Sequence, residues 1–296
     1  MHATFELPGP VDLVRTMGPL LGPAESVGRV AAGEAWRASH TPAGPSTLRL
    51  VMRTGAVDAE AWGAGAEWSI SHVPALLGFG DDPSTFKPDK PLLRDLHLRA
   101  GGMRFGATLS VFEVLVPTIL GQKVTTKESH RGYRRLIEAH GSMAPGPGDL
   151  RLPPPPEVLA DLPYFEYHPL GIERKRADTI RGVAARADRL EEIVTMSRDE
   201  AVRRLTAFDG IGPWTAAFVM ATALGDADAV PVGDYHLPNV VAWALAGEAR
   251  ANDARMLELL EPYRGHRGRV IRLLKQAGIH APRYGPRSTV RGFEDV

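Results

Sequence analysis

Asp234 is the residue in this sequence best placed to do chemistry. It follows Ala229-Val230-Pro231-Val232-Gly233 and precedes Tyr235-His236-Leu237, where a helical pattern begins, so its carboxylate is delivered at the end of a short apolar loop. An Asp before a helix is also an ordinary N-cap, and both roles can hold at once. Just upstream, residues 205 to 225 read LTAFDGIGPWTAAFVMATALG. One helical pattern (Ala201, Val202, Leu205, Phe208) stops at Asp209, and an apolar one runs from Trp214 to Leu224. Gly210 and Gly212 bracket Ile211 in the turn between them, and Pro213 opens the second helix, where its missing N–H costs nothing. Free backbone N–H groups remain at that helix start, with the positive end of the dipole behind them. The Gly210, Ile211, Gly212, Pro213 hairpin is therefore a ready phosphate cradle. Trp214 and Phe218 lie four apart on one helix face, and Tyr235 follows the acid. Aromatics so placed can stack a planar, electron-poor ligand; the alternative is plain core packing.

Composition narrows the chemistry. The chain has 296 residues and 44% hydrophobic content, enough for two cored domains. It contains no cysteine, which excludes disulfides, thiolate metal sites, a cysteine nucleophile and any four-cysteine iron–sulfur cluster. The histidines are scattered, and His236 has no partner at ligand spacing, so no transition-metal site is expected. Lys and Arg total 35, as do Asp and Glu, an even balance that argues against indiscriminate polyanion binding. Basic residues do cluster, at Arg174, Lys175, Arg176 and at Arg264, Arg267, Arg269, Arg272, Lys275. The N-terminus lacks a basic region followed by a long apolar run, and no stretch reaches membrane-spanning length, so the expectation is a cytoplasmic protein, nucleoid-associated if bacterial.

The elements that must position these residues change character along the chain. Residues 1–105 read as an α+β domain on an antiparallel sheet, with strands at 33–38 and 47–53, short helices at 11–21 and 73–77, and a loop at 78–90. From Thr108 the period turns helical, giving a mostly α-helical domain over 106–280 and a tail over 281–296. Phe112, Leu115, Val116, Ile119 and Leu120 form an apolar stripe that ends at Gly121-Gln122-Lys123, and Thr125-Thr126 starts the next helix. Residues 141–157, rich in Gly and Pro, read as a surface loop, and Asp226 and Asp228 as turn residues.

GIGPWTA and VPVGDYHL, in this order and at this separation, resemble the helix-hairpin-helix DNA glycosylase superfamily, most closely its 3-methyladenine DNA glycosylase II branch. LLGFGDDPSTF, the ILGQ segment ending at Gln122, GIERKRA at 171–177 and EPYR at 261–264 are similar to further segments of that family. The resemblance implies an N-terminal antiparallel-sheet domain followed by a helical glycosylase core acting on damaged double-stranded DNA, and a monomer is the natural expectation for a protein that must wrap bent DNA. It implies Asp234 as the catalytic acid, Trp214, Phe218 and Tyr235 as pocket residues, and Gln122 and Lys123 beside the hairpin at the DNA. The family places an inserting residue at Lys123, although a cation there suits a phosphate contact equally well. No cofactor is required. A sodium or potassium ion on the carbonyls of Thr206, Phe208 and Ile211 is the family's structural option.

Breaking a C–N glycosidic bond builds positive charge on the sugar, which a fixed carboxylate stabilises. One acid without an evident partner suits bases alkylated at a ring nitrogen, because these are already cationic and leave without protonation. Bifunctional members carry a Lys in the second hairpin helix; Trp214 stands there, implying hydrolysis without strand cleavage. Arg269, Val270, Ile271 and Arg272 replace a further pocket tryptophan of the bacterial enzyme. Two rival readings remain: a non-catalytic helix-hairpin-helix DNA-binding or damage-sensing protein, and a glycosylase for oxidised or deaminated bases.

Overall fold

The computed structural model describes residues 1–282, so most of the 281–296 tail read from the sequence lies outside the described residues. Five strands, β1 (His2–Glu6), β2 (Gly28–Ala31), β3 (Glu34–Thr41), β4 (Gly44–Arg53) and β5 (Ala56–Trp62), form one antiparallel sheet in the order β1-β5-β4-β3-β2. The period-two pattern explains its two faces. Leu48, Leu50, Val57, Ala59 and Ala61 turn inward against α1 (Leu13–Met17), α2 (Ala66–Ser71) and α3 (Val73–Leu76). On the outer face Arg49 bridges Glu34 and Glu60 from the two flanking strands.

The stretch 141–157 is more than a surface loop. Strands β6 (Ser142–Met143) and β7 (Arg151–Leu152) pair within it, and Leu150 and Leu152 are buried with Ala38 of the sheet. Its glycines sit against the stacked Trp36 and Trp62 rings, whose broad faces draw the segment down.

α4 (Pro91–Arg99) crosses to other company, as described below. The helical core is built around α5 (Val111–Leu120), the apolar stripe of the sequence, with α6 (Thr126–His140), α7 (Pro156–Asp161), α8 (Tyr164–Tyr167), α9 (Arg174–Ala184), α10 (Ala187–Glu191), α11 (Arg198–Thr206) and α12 (Pro213–Ala223) around it. No side chain of its own caps α5. Glu191 of α10 does so instead, accepting from Val111 N at 2.9 Å and Phe112 N at 2.8 Å, which ties one helix end to another element. Thr125 and Glu128 close a reciprocal capping box at the start of α6.

A third apolar cluster joins α4 and the segment to Phe105 with α13 (Leu237–Ala246), α14 (Asp253–Leu260) and α15 (Arg267–Gln276). Hydrophobic packing thus runs across the 105/106 boundary drawn from the sequence: α4 keeps company with the last helices of the described residues, while the inner face of the sheet packs on residues up to Phe79. Among the described residues no helix is long and apolar enough to cross a membrane.

Candidate functional site

α11, the turn at 207–212 and α12 form the helix-hairpin-helix. Gly210 takes φ +82°, and a Cβ there would lie 2.3 Å from Thr179 Oγ1, so only glycine fits. Ile211 turns its side chain into the helical core, anchoring the exposed tip. Gly212 precedes Pro213 with no side-chain cap, which leaves the first N–H groups of α12 to an outside acceptor. Gln122 is committed to the hairpin: its amide donates to Gly210 O at 2.8 Å and Thr215 Oγ1 at 2.9 Å. Lys123 beside it is exposed with φ +57°, a left-handed conformation uncommon for a residue with a side chain.

Asp234 stands just before α13. Its Oδ1 accepts from His236 N and Leu237 N, each at 2.9 Å, so it does close the helix start. Its Oδ2 accepts the indole N–H of Trp214 at 3.1 Å, which ties the acid to the first turn of the second hairpin helix. Burial pushes the carboxyl pKa up, but the Trp214 hydrogen bond, the two backbone donors and the charge of Lys275 outweigh it, and the net shift is downward. The acid is held ionised and oriented, as a group must be to stabilise positive charge.

Trp214 and Phe218 meet at 4.6 Å between ring centroids, their planes tilted by 52°. Both rings, with Thr222, line a cavity of about 410 Å³ together with the Gly18–Pro23 stretch after α1 and with Arg37, Glu113 and Tyr133. Arg37 of β3 pairs with Glu113 of α5 at 2.7 Å, and His40 N donates to the same carboxylate at 2.6 Å. Burial drives the Glu113 pKa up, with Arg37 opposing. Tyr235 takes no part in this wall. It is 87% exposed, edge-on to His236, because the backbone that donates to Asp234 turns the neighbouring side chain outward.

The basic clusters read from the sequence are largely spoken for. Arg269 is fully buried and paired with Asp81, Arg267 grips Asp228, Arg264 pairs with Glu261, and Arg176 donates from the interior to Leu120 O at 3.1 Å. Arg174 lies 4.3 Å over the Tyr164 ring. Asp226 and Asp228 do more than shape a turn: Asp226 pairs with Arg198 at 2.7 Å, and Asp228 accepts from Gly265 N and Arg267 N, fixing where α15 begins. Sequence reasoning passed over Arg37 and Glu113, which a strand-to-helix contact brings together, and left Lys275 as one basic residue among several. Among the described residues no group of three acidic or histidine side chains is arranged to hold a metal ion.

Replacing Trp214 by Phe isolates the hydrogen bond to Asp234 from the stacking. With that donor gone, burial counts for more and the Asp234 pKa rises. The acid limb of the pH–activity profile is expected to move to higher pH, and the Trp214→Phe single-turnover rate to fall by about 10-fold, the share of one charge-assisted hydrogen bond. An unmoved acid limb would remove the indole from any part in setting the acid.

No family model matches the chain. A DNA-3-methyladenine glycosylase of Bacillus subtilis is 25% identical over 180 residues, 59% of this chain and 59% of that protein. The chain spans between 30% and 59% of the length of the curated relatives it matches. Among solved structures, the 3-methyladenine DNA-glycosylase from Archaeoglobus fulgidus superposes with a TM-score of 0.78 at 21% identity, over 92% of this chain and 97% of that one. An 8-oxoguanine glycosylase/lyase of Clostridium acetobutylicum, in complex with double-stranded DNA containing cytosine opposite 8-oxoguanine, gives 0.69 at 16% identity, over 94% and 99%. These likenesses bear out the fold class and the family resemblance read from the hairpin and the Asp loop.

Proposed function

We propose that this chain, which has the fold of the helix-hairpin-helix DNA glycosylases and resembles their 3-methyladenine branch in sequence, is a monofunctional DNA glycosylase of base excision repair. It acts on double-stranded DNA carrying alkylated bases of the 3-methyladenine and 7-methylguanine kind. The observation that carries this reading is the Asp234 carboxylate, held ionised by the Trp214 indole and the α13 start, and joined through Trp214 to the phosphate-cradling hairpin.

In this mechanism the N–H groups at the start of α12 grip a phosphate next to the lesion, and Gly210, Ile211, Gly212 and Pro213 shape that grip. Gln122 braces the hairpin from α5, and exposed Lys123 reaches the duplex where the damaged nucleotide leaves the stack. Trp214 and Phe218 offer aromatic faces to the extruded base, and Tyr235 supplies another from the solvent side once DNA is in place. The C1′–N bond lengthens, positive charge builds on the sugar, and Asp234 stabilises it and orients the attacking water. Trp214 cannot form a Schiff base with the sugar, so the product is an abasic site with the strand intact. The carbonyls of Thr206, Phe208 and Ile211 would hold a monovalent cation between hairpin and phosphate. Phe208 O accepts the Ile211 N–H at 3.0 Å and keeps one lone pair for such an ion.

Incubating the full chain with methylated duplex DNA tests the reading. Free 3-methyladenine or 7-methylguanine should appear, and strands should break only after alkali. Binding to lesion DNA without release of any base would make the protein a damage sensor instead.

A further inference from the structure

Hydrolysis of a neutral base needs a second group, one that gives a proton to the departing nitrogen or oxygen. The fold brings such a group to Asp234 from the last turn of α15. Lys275 Nζ lies 5.4 Å from the centroid of the Phe218 ring; that ring packs at a tilt against Trp214, and Trp214 holds Asp234. Lys275 and Asp234 each act on the other's ionisation, yet among the described residues Lys275 enters no ion pair. Its basic neighbours differ: Arg264, Arg267 and Arg269 are paired, and Arg272 lies 3.5 Å over the Phe105 ring. Among the described residues Lys275 meets the Phe218 ring and no carboxylate within ion-pair reach.

We propose that Lys275 is the proton donor to the departing base, which extends the reaction from cationic to neutral damaged bases. The proposal rests on the glycosylase reading of the Asp234 site. The C1′–N bond breaks with both electrons going to the base. The Lys275 ammonium gives one proton to the base atom that receives the charge and becomes an amine. Water adds to C1′ and loses its proton to Asp234, and passage of that proton to the amine restores both groups. One water is consumed and nothing else.

The surroundings fit a donor. Solvent reaches the Lys275 side chain, but protein crowds the ammonium enough that desolvation lowers its pKa, with Asp234 opposing and Arg272 reinforcing. A lysine so shifted gives up its proton more readily near neutral pH. The elements packed around it add no rival charge: α12 and α13 contain no ionisable residue. On α4, Asp95 and Arg99 pair with each other, His97 turns edge-on to Phe86, and Arg94 is exposed. On α1, Arg15 is held by Asp12 and Gln276.

The test uses the full chain and two duplex oligonucleotides, one with cationic N7-methylguanine and one with neutral hypoxanthine. Lys275→Met is expected to slow single-turnover release of hypoxanthine by about 10²–10⁴-fold and to slow N7-methylguanine release far less, since Trp214 and the two backbone donors still hold Asp234. With the wild type, hypoxanthine release should fall as pH rises through the lowered lysine pKa, a limb absent from Lys275→Met. Lys275→Arg keeps the charge without a transferable proton and should stay slow on hypoxanthine. The proposal is overturned if Lys275→Met slows both substrates equally, if Lys275→Arg restores the full rate, or if the wild type releases N7-methylguanine and no hypoxanthine. A borohydride-trapped covalent adduct lost in Lys275→Met would make Lys275 a nucleophile and likewise overturn it. Release of neither base defeats the glycosylase reading itself; release of hypoxanthine alone supports the donor and removes the cationic substrates from the proposed function.

Discussion

Asp234→Asn is expected to cut single-turnover base release by about 10²–10⁴-fold while leaving the fold and lesion-duplex binding in place. The asparagine carbonyl can still accept from His236 N and Leu237 N, so the helix start stays capped; what goes is the charge and, because an amide nitrogen takes the place of Oδ2, the acceptor for the Trp214 indole. What disappears is the anion beside the sugar at the moment the C1′–N bond opens. Circular dichroism and a binding isotherm against lesion DNA separate this from misfolding. Full activity in the asparagine variant would mean that another group stabilises the sugar cation, and the proposed mechanism would fail. The pH dependence has a definite sign. The folded-state pKa of Asp234 is depressed, so the ionised acid stabilises the native protein above the unfolded-state carboxyl pKa, and that contribution fades as pH falls through the depressed value.

Asp81→Ala is expected to be the most destabilising of the single changes considered, at about 3–5 kcal/mol. Arg269 is fully buried and Asp81 nearly so; their ion pair links the turn after α3 to the heart of α15, and Asp81 also accepts from Phe105 N at 2.9 Å. Removing the carboxylate leaves a guanidinium in the interior with His266 and the carbonyl of Met103 as its remaining partners. Urea denaturation followed by tryptophan fluorescence measures the loss. The double variant Asp81→Leu, Arg269→Met should recover much of it, since neither charge is then stranded. A loss under 1 kcal/mol for the single change would show that solvent reaches the guanidinium.

What the sequence disclosed was what is local in the chain. The hairpin was legible because glycine, isoleucine, glycine and proline adjacent to one another have few ways to fold, and Asp234 because a lone acid after an apolar loop announces a helix start. The helical stripe of α5 was equally plain. β5 was not, because its inward face is Val57, Ala59 and Ala61, and alanine contributes little apolar contrast to a period-two pattern. The packing of 141–157 on Trp36 and Trp62 was hidden by its glycines and prolines, which read as punctuation. The direction of Tyr235 was not legible, because adjacency to Asp234 says nothing about it; the cap it follows sends the ring to solvent. The roles of Arg37, Glu113 and Lys275 depend on partners far away in the chain, which no spacing rule encodes. The basic cluster of α15 was legible as charge, but its bonds to Asp81 and Asp228 required the tertiary structure.

The company that α4 keeps bears on how the protein is made. Its apolar face meets α13, α14 and α15, so this segment waits for partners that the ribosome delivers much later. During synthesis the sheet can close on α1 to α3 by itself, while Leu93 and Leu96 stay uncovered until α15 emerges. Interruption of translation before α15 should therefore leave a nascent chain with a finished sheet and a greasy helix exposed, the kind of intermediate that chaperones retain.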